Sequence, residues 1–155
     1  MPTACFIIPS WHYWKDPLKH TPYWELYYAT YVKKAGIETD VIDIRSMKKN
    51  HKDLDLTKIV NKIPERNFYF YWIFKTGDAA EIYSTVKLLK KKYPKSIHAA
   101  GGTHVDMCQD ECVKHFDSII VGPGEESFIN VITDYNKKKL LKKYSVNYKS
   151  LHFRN

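Results

Sequence analysis

Residues 68–74 read FYFYWIF, from Phe68 to Phe74, and form the most apolar run of the chain. The seven positions are all aromatic or β-branched and show no polar alternation. Such a run predicts a central strand covered on both faces, flanked by the first and fourth strands of a parallel sheet. Working outward, Ala4 to Ile8 (ACFII) is a short apolar run ended by Pro9-Ser10, and Thr39 to Ile44 (TDVIDI) is a second one. Ser96 to Ala100 (SIHAA) breaks at Gly101-Gly102, and Asp117 to Val121 (DSIIV) is ended by Gly122-Pro123-Gly124. Each reads as a strand.

Helical patterns fill the intervals. Thr21 offers an N-cap with Pro22 in the first helical position, and the helix runs from Tyr23 to Ala35 until Gly36 closes it. Leu54, Leu56, Ile59, Val60 and Ile63 are spaced for a short amphipathic helix stopped by Pro64. Asp78 to Tyr93 carries an apolar stripe of Ala79, Ile82, Tyr83, Val86, Leu89 and Tyr93. A short helix is expected over Asp106 to Lys114, and a last one over Glu125 to Tyr135, with acidic residues at its N-terminus. Five strands, each followed by a helical segment, predict a doubly wound α/β domain. The simplest arrangement is flavodoxin-like (Rossmann-like), a five-stranded parallel sheet of order 2-1-3-4-5.

The 155 residues, 44% hydrophobic and 27% charged, suit one soluble domain with one core. No apolar run is long enough to span a bilayer, so no membrane partner is expected. A secretory signal is not apparent, and Cys5, Cys108 and Cys112 are too few for a disulfide framework. A cytoplasmic setting is the expectation. The net charge of +8 is concentrated near the C-terminus, where Lys137, Lys138, Lys139, Lys142, Lys143, Lys149 and Arg154 face only Asp134. Residues 1–136 are therefore read as the domain and 137–155 as a basic tail or linker. Such a tail attracts polyanions weakly, but it more often marks a solvated end, so a nucleic-acid role is disfavoured.

In sheets of this kind, ligands bind beyond the carboxyl ends of the strands. That rule selects the loops Pro9 to Pro17, Lys75 to Asp78, Gly101 to Val105 and Gly122 to Glu126. Here AAGGTHVD (Ala99–Asp106), followed by FDSIIVGPGEESF (Phe116–Phe128), resembles the N-terminal cobalamin-binding domain of radical SAM proteins. The likeness lies in a Gly-Gly-x-His turn after the fourth strand and a Gly-x-Gly-Glu turn after the fifth. It extends over roughly residues 3–135.

The resemblance implies a corrinoid lying over the strand ends, with its nucleotide tail beside the sheet. Gly101 and Gly102 would leave room for that tail, Thr103 and His104 would add polar contacts, and Gly122, Gly124 and Glu125 would bound the same groove. Ser10, Trp11 and His12, with Lys75, Thr76 and Gly77, would flank the corrin. The Asp-x-His-x-x-Gly motif of cobalamin-dependent mutases is absent, since the first loop reads SWHYWKDP, so ligation of cobalt by His12 is not implied. The Cys-x3-Cys-x2-Cys motif of the radical SAM domain is also absent. No complete catalytic site and no iron–sulfur cluster are expected in this chain, and the chemistry would lie on a partner domain or protein.

Two constellations remain. His104, Cys108, Cys112 and His115 sit at spacings that put soft ligands on one helix face, but cysteines as small core residues are the favoured reading. The aromatic first loop, with Trp11, Tyr13, Trp14, Tyr23 and Trp24, suits either stacking on a flat ligand or covering a sheet edge. The rivals to a corrinoid module are an interaction module of the same fold without cofactor and a weak nucleic-acid binder.

Overall fold

A computed structural model describes residues 2–48 and 54–146. All strands are parallel, and the sheet order is β2-β1-β3-β4-β5-β6. The strands are β1 (Thr3–Ile8), β2 (Glu38–Asp43), β3 (Phe68–Trp72), β4 (Ile97–Gly101), β5 (Ser118–Val121) and β6 (Lys143–Ser145). The helices are α1 (Tyr23–Lys34), α2 (Leu56–Asn61), α3 (Ala79–Lys92), α4 (Thr103–Met107), α5 (Gln109–Cys112) and α6 (Glu125–Asn136).

Every residue of β3 is buried, and β1 and β4 flank it as its unbroken apolar run predicts. Alternate side chains feed two cores. Tyr69 and Tyr71 join Cys5, Ile7 and Ala100 beneath α2, α3, α4 and α5. Phe68, Phe70 and Trp72 join Phe6, Ala99 and Ile120 beneath α1 and α6. This is the doubly wound, flavodoxin-like arrangement with one strand more than expected.

The sixth strand corrects the count of five, and it comes from the segment read as a tail. The lysines of 137–143 hide a pairing segment whose inward residue is Tyr144, which is buried. The Tyr144 hydroxyl donates to Asp134 Oδ2 at 2.9 Å and accepts from the Leu141 amide at 3.0 Å. Lys143 is exposed on this strand, and its Nζ donates to Gln109 Oε1 at 2.6 Å. Residues 147–155 of the expected tail lie outside the described residues.

Smaller corrections concern the helices. Thr21 makes no cap; Pro22 occupies the N-cap position of α1, with no side-chain hydrogen bond. The single helix expected over Asp106 to Lys114 is two short ones broken at Cys108, and it begins earlier, directly after the β4 turn. Among the described residues no helix is long and apolar enough to cross a membrane.

Candidate functional site

The first loop leaves β1 through Pro9 and turns sharply. Trp11 has a φ of 50°, a left-handed conformation that a bulky residue adopts only under constraint. The constraint is Arg45, a buried residue that sequence reasoning passed over. Its guanidinium lies 4.7 Å from the centre of the Trp11 ring. It donates to the Pro17 and His20 carbonyls at 2.9 and 2.6 Å and forms a two-pronged pair with Asp43. Asp43 thus anchors the loop through Arg45.

Ser10 is pinned from the other side. Its amide donates to Glu81 Oε2 at 2.7 Å, and its hydroxyl donates to Glu81 Oε1. His12 Nδ1 stands 3.6 Å from the same carboxylate. Ser10 is fully buried and Glu81 nearly so, which makes this contact a fastener between β1 and α3.

Between this loop and the one after β3 lies a cleft of about 330 Å³. Trp11, Tyr13, Trp14, Tyr23, Trp24, Trp72 and Phe74 form its walls, with Lys75, Glu25 and Asp78 as the charged groups. Lys75 Nζ lies 4.6 Å from the Trp14 ring centre and 5.5 Å from that of Tyr13, so its charge rests on aromatic faces. Asp78 is buried. Its Oδ2 accepts from the Tyr13 hydroxyl at 3.2 Å, and its Oδ1 has no hydrogen-bond partner. Burial pushes the Asp78 carboxyl up to about 7, against the Tyr13 hydrogen bond that lowers it. Burial likewise brings Glu25 to about 7. The cleft therefore combines flat apolar walls with two acids that titrate near neutrality. Asp78 lay at the end of the selected loop Lys75 to Asp78, but neither acid was given a role, because an acid opening or within a helical stretch reads as solvated surface.

The glycine turns are packed differently from the expectation. A Cβ on Gly101 would stand 2.7 Å from Trp72 Cζ3, and one on Gly102 would stand 2.5 Å from the Ile73 carbonyl oxygen. Gly102 also has a φ of +113°. The space these glycines leave is filled by the protein itself. Gly101 admits the indole that walls the cleft, and Gly102 lets the backbone of β4 close onto that following β3.

The remaining residues of these turns are also engaged within the chain. The Gly122 amide donates to Asp106 Oδ1 at 2.9 Å. A Cβ on Gly124 would reach 2.8 Å from Phe128. Glu125 accepts from the Tyr27 hydroxyl of α1 at 3.1 Å and makes no side-chain cap of α6. Thr103 is exposed. His104 is buried with both nitrogens occupied, Nδ1 3.1 Å from Thr76 Oγ1 and Nε2 2.9 Å from the Tyr83 hydroxyl.

Trp11 and Lys75 thus line the cleft, and a Cβ on Gly77 would stand 3.4 Å from the Tyr13 ring. Ser10, His12, Thr76, Gly101, Gly102, Thr103, His104, Gly122, Gly124 and Glu125 are not among its lining residues. The four soft ligands do not share a helix face either. Cys112 approaches Tyr83 and His104, His115 stacks on Tyr83, and Cys108 is not among the converging ligands.

A family model described as the B12 binding domain matches residues 15–132. No curated protein matches the chain.

Proposed function

From the premise that this chain belongs to the B12 binding domain family, we propose that it holds a corrinoid at the aromatic cleft beyond β1 and β3. The observation that carries this reading is the cleft itself. It is walled by flat aromatic rings and contains a buried carboxylate oxygen, Asp78 Oδ1, without a partner. A corrinoid has a flat ring rimmed by amide groups, so both features fit it. Ring faces meet ring faces, and a small shift of the Asp78 side chain would bring its unpartnered oxygen to an amide N–H. At about 330 Å³ the cleft is at the small end of ligand pockets, so it takes one flat portion of the cofactor. An adjoining groove along α1, lined by Tyr23, Leu26, Tyr27 and Tyr31, shares Thr21 and Tyr23 with it and extends the surface.

When bound, the cofactor supplies cobalt-centred methyl transfer or electron transfer. The chain's residues position it. Trp24 and Phe74, both partly exposed, offer open apolar surface, and Lys75 caps the wall beside Trp14. A role beside a radical SAM catalytic domain or protein is the finer form of this reading. It rests on the paired glycine turns and leaves the substrate chemistry to that partner.

Titration of the purified chain with hydroxocobalamin, followed in the visible spectrum, tests the proposal. The wild type should shift the corrinoid bands to a saturable end point. Trp24→Ala with Phe74→Ala should weaken binding at least tenfold while circular dichroism stays unchanged. A wild-type titration with no saturable shift in any cobalt oxidation state overturns corrinoid binding. Undiminished binding by the double variant overturns the placement.

A further inference from the structure

We propose a second site, distinct from the corrinoid cleft, in which His104, Glu111 and Cys112 bind one zinc-class transition-metal ion. The three residues are drawn from α4 and α5, and their ligand atoms lie within 4.8 Å of one another. Tetrahedral coordination sets the distances such a group must show. Nitrogen and oxygen ligands at about 2.0–2.1 Å from zinc lie roughly 3.3 Å from each other. His104 Nε2 and Glu111 Oε2 are 3.3 Å apart.

The metal-free arrangement is centred on the Tyr83 hydroxyl from α3. It lies 2.6 Å from Glu111 Oε2, 2.9 Å from His104 Nε2 and 3.5 Å from Cys112 Sγ. One hydroxyl touching all three candidate ligands marks the point on which they converge. An ion entering there displaces the phenol from the middle, and water completes the coordination. The Cys112 thiol proton leaves to solvent. Thiolate and carboxylate then balance the two positive charges, and the imidazole binds neutral.

One supporting contact is of the kind metal sites use. Thr76 Oγ1 holds His104 Nδ1 at 3.1 Å, which aims Nε2 at the cluster. Cys112 and His104 are buried, while the Glu111 side chain is 53% exposed, which gives an ion a way in. Thiolate, imidazole and carboxylate together select zinc, or cobalt(II) as its spectroscopic substitute, over magnesium or calcium.

Cobalt(II) titration of the full chain, corrinoid-free and stripped with chelator, tests this. One cobalt per chain should bind with a thiolate-to-metal charge-transfer band and the intense visible bands of tetrahedral cobalt. Zinc should displace it. Cys112→Ser should abolish the charge-transfer band, Glu111→Gln should weaken binding at least tenfold, and Cys108→Ser should change neither. Binding below one equivalent, a six-coordinate cobalt spectrum, or an unaltered spectrum in Cys112→Ser overturns the site. If Cys112→Ser fails to fold, the half-exposed Glu111→Gln decides, and unchanged affinity there overturns it. The corrinoid reading is unaffected either way, because no corrinoid is present.

Discussion

The turn after β4 and the loops after β1 and β3 lie at the same edge of the sheet, yet one is closed and the other open. Gly101 and Gly102 pack against Trp72, Ile120 and the Ile73 backbone with no space to spare. The loops after β1 and β3 hold Tyr13, Trp14, Trp24, Phe74 and Lys75 around a cleft. Glycine therefore serves a different end from the one its motif suggests. It removes a side chain so that the protein can fill the gap, and the open room lies among the large rings of the loops after β1 and β3.

The largest effect should come from challenging the closed region. Gly102→Ala places a Cβ 2.5 Å from the Ile73 carbonyl oxygen, in a backbone conformation almost reserved for glycine. The strain and the clash together should remove about 3–5 kcal/mol, read as the loss of most of the folded signal in a urea titration. If Gly102→Ala folds with wild-type stability, the turn is looser than described, and the contrast between the two regions falls.

Next in size is the sheet's far edge beside the closed half. Ending the chain before Lys142 removes β6, its pairing with Ile119 to Val121, and the buried Tyr144. Loss of that ring from the core should remove about 2–4 kcal/mol. A melting temperature equal to that of the intact chain would restore the reading of residues 137–155 as a passive tail.

Smaller, and opposite in sign, is the response of the open region. Asp78 is held near 7 by burial, whereas an unfolded carboxyl titrates near 3.8. Between those values the folded state carries more proton than the unfolded one, so stability falls as pH rises through this window. Lys75 and the Tyr13 hydroxyl oppose the shift, and Glu81 reinforces it. Asp78→Asn removes the buried charge and should stabilise the chain by about 1–3 kcal/mol at pH 8. At pH 4 it should do almost nothing. Chemical denaturation at the two pH values checks this, and equal effects at both would show that Asp78 is better solvated than its orphaned oxygen indicates.

The legibility of the two regions differs in the same way. The order of β1 to β5 could be read from FYFYWIF and its neighbours because burial on both faces leaves a local signature, a run with no polar residue. The strand β6 could not, since its one inward residue, Tyr144, sits beside Lys142 and Lys143. Glycine turns announce themselves in a sequence, and they marked the right edge of the sheet. They did not say what fills the space above them, because that depends on Trp72 and Ile73 arriving from another strand. The cleft's aromatic residues were visible in the first loop, but the roles of Asp78 and Glu25 were not, since neither lies in a recognisable spacing. Arg45 escaped for the same reason. Its role depends on reaching the Pro17 and His20 carbonyls, which are remote in the chain.

The smallest effect is the most discriminating, because it repeats one substitution in the other region. Gly77 stands in the turn after β3, without a left-handed φ, and a Cβ there would meet only the Tyr13 ring, at 3.4 Å. That distance is ordinary contact with the edge of a movable side chain. Gly77→Ala should therefore narrow the unfolded ensemble without straining the folded one, and stabilise the chain by about 0.4–1 kcal/mol. The same added methyl that wrecks the turn after β4 should strengthen the turn after β3. It should also press on Tyr13, whose hydroxyl holds Asp78, so hydroxocobalamin affinity should shift by a few fold while stability rises. Denaturant titration gives the first quantity and visible titration the second. If Gly77→Ala proves as damaging as Gly102→Ala, both turns are closed, and the open region must be sought along α1, where Leu26, Tyr27 and Tyr31 leave the adjoining groove exposed.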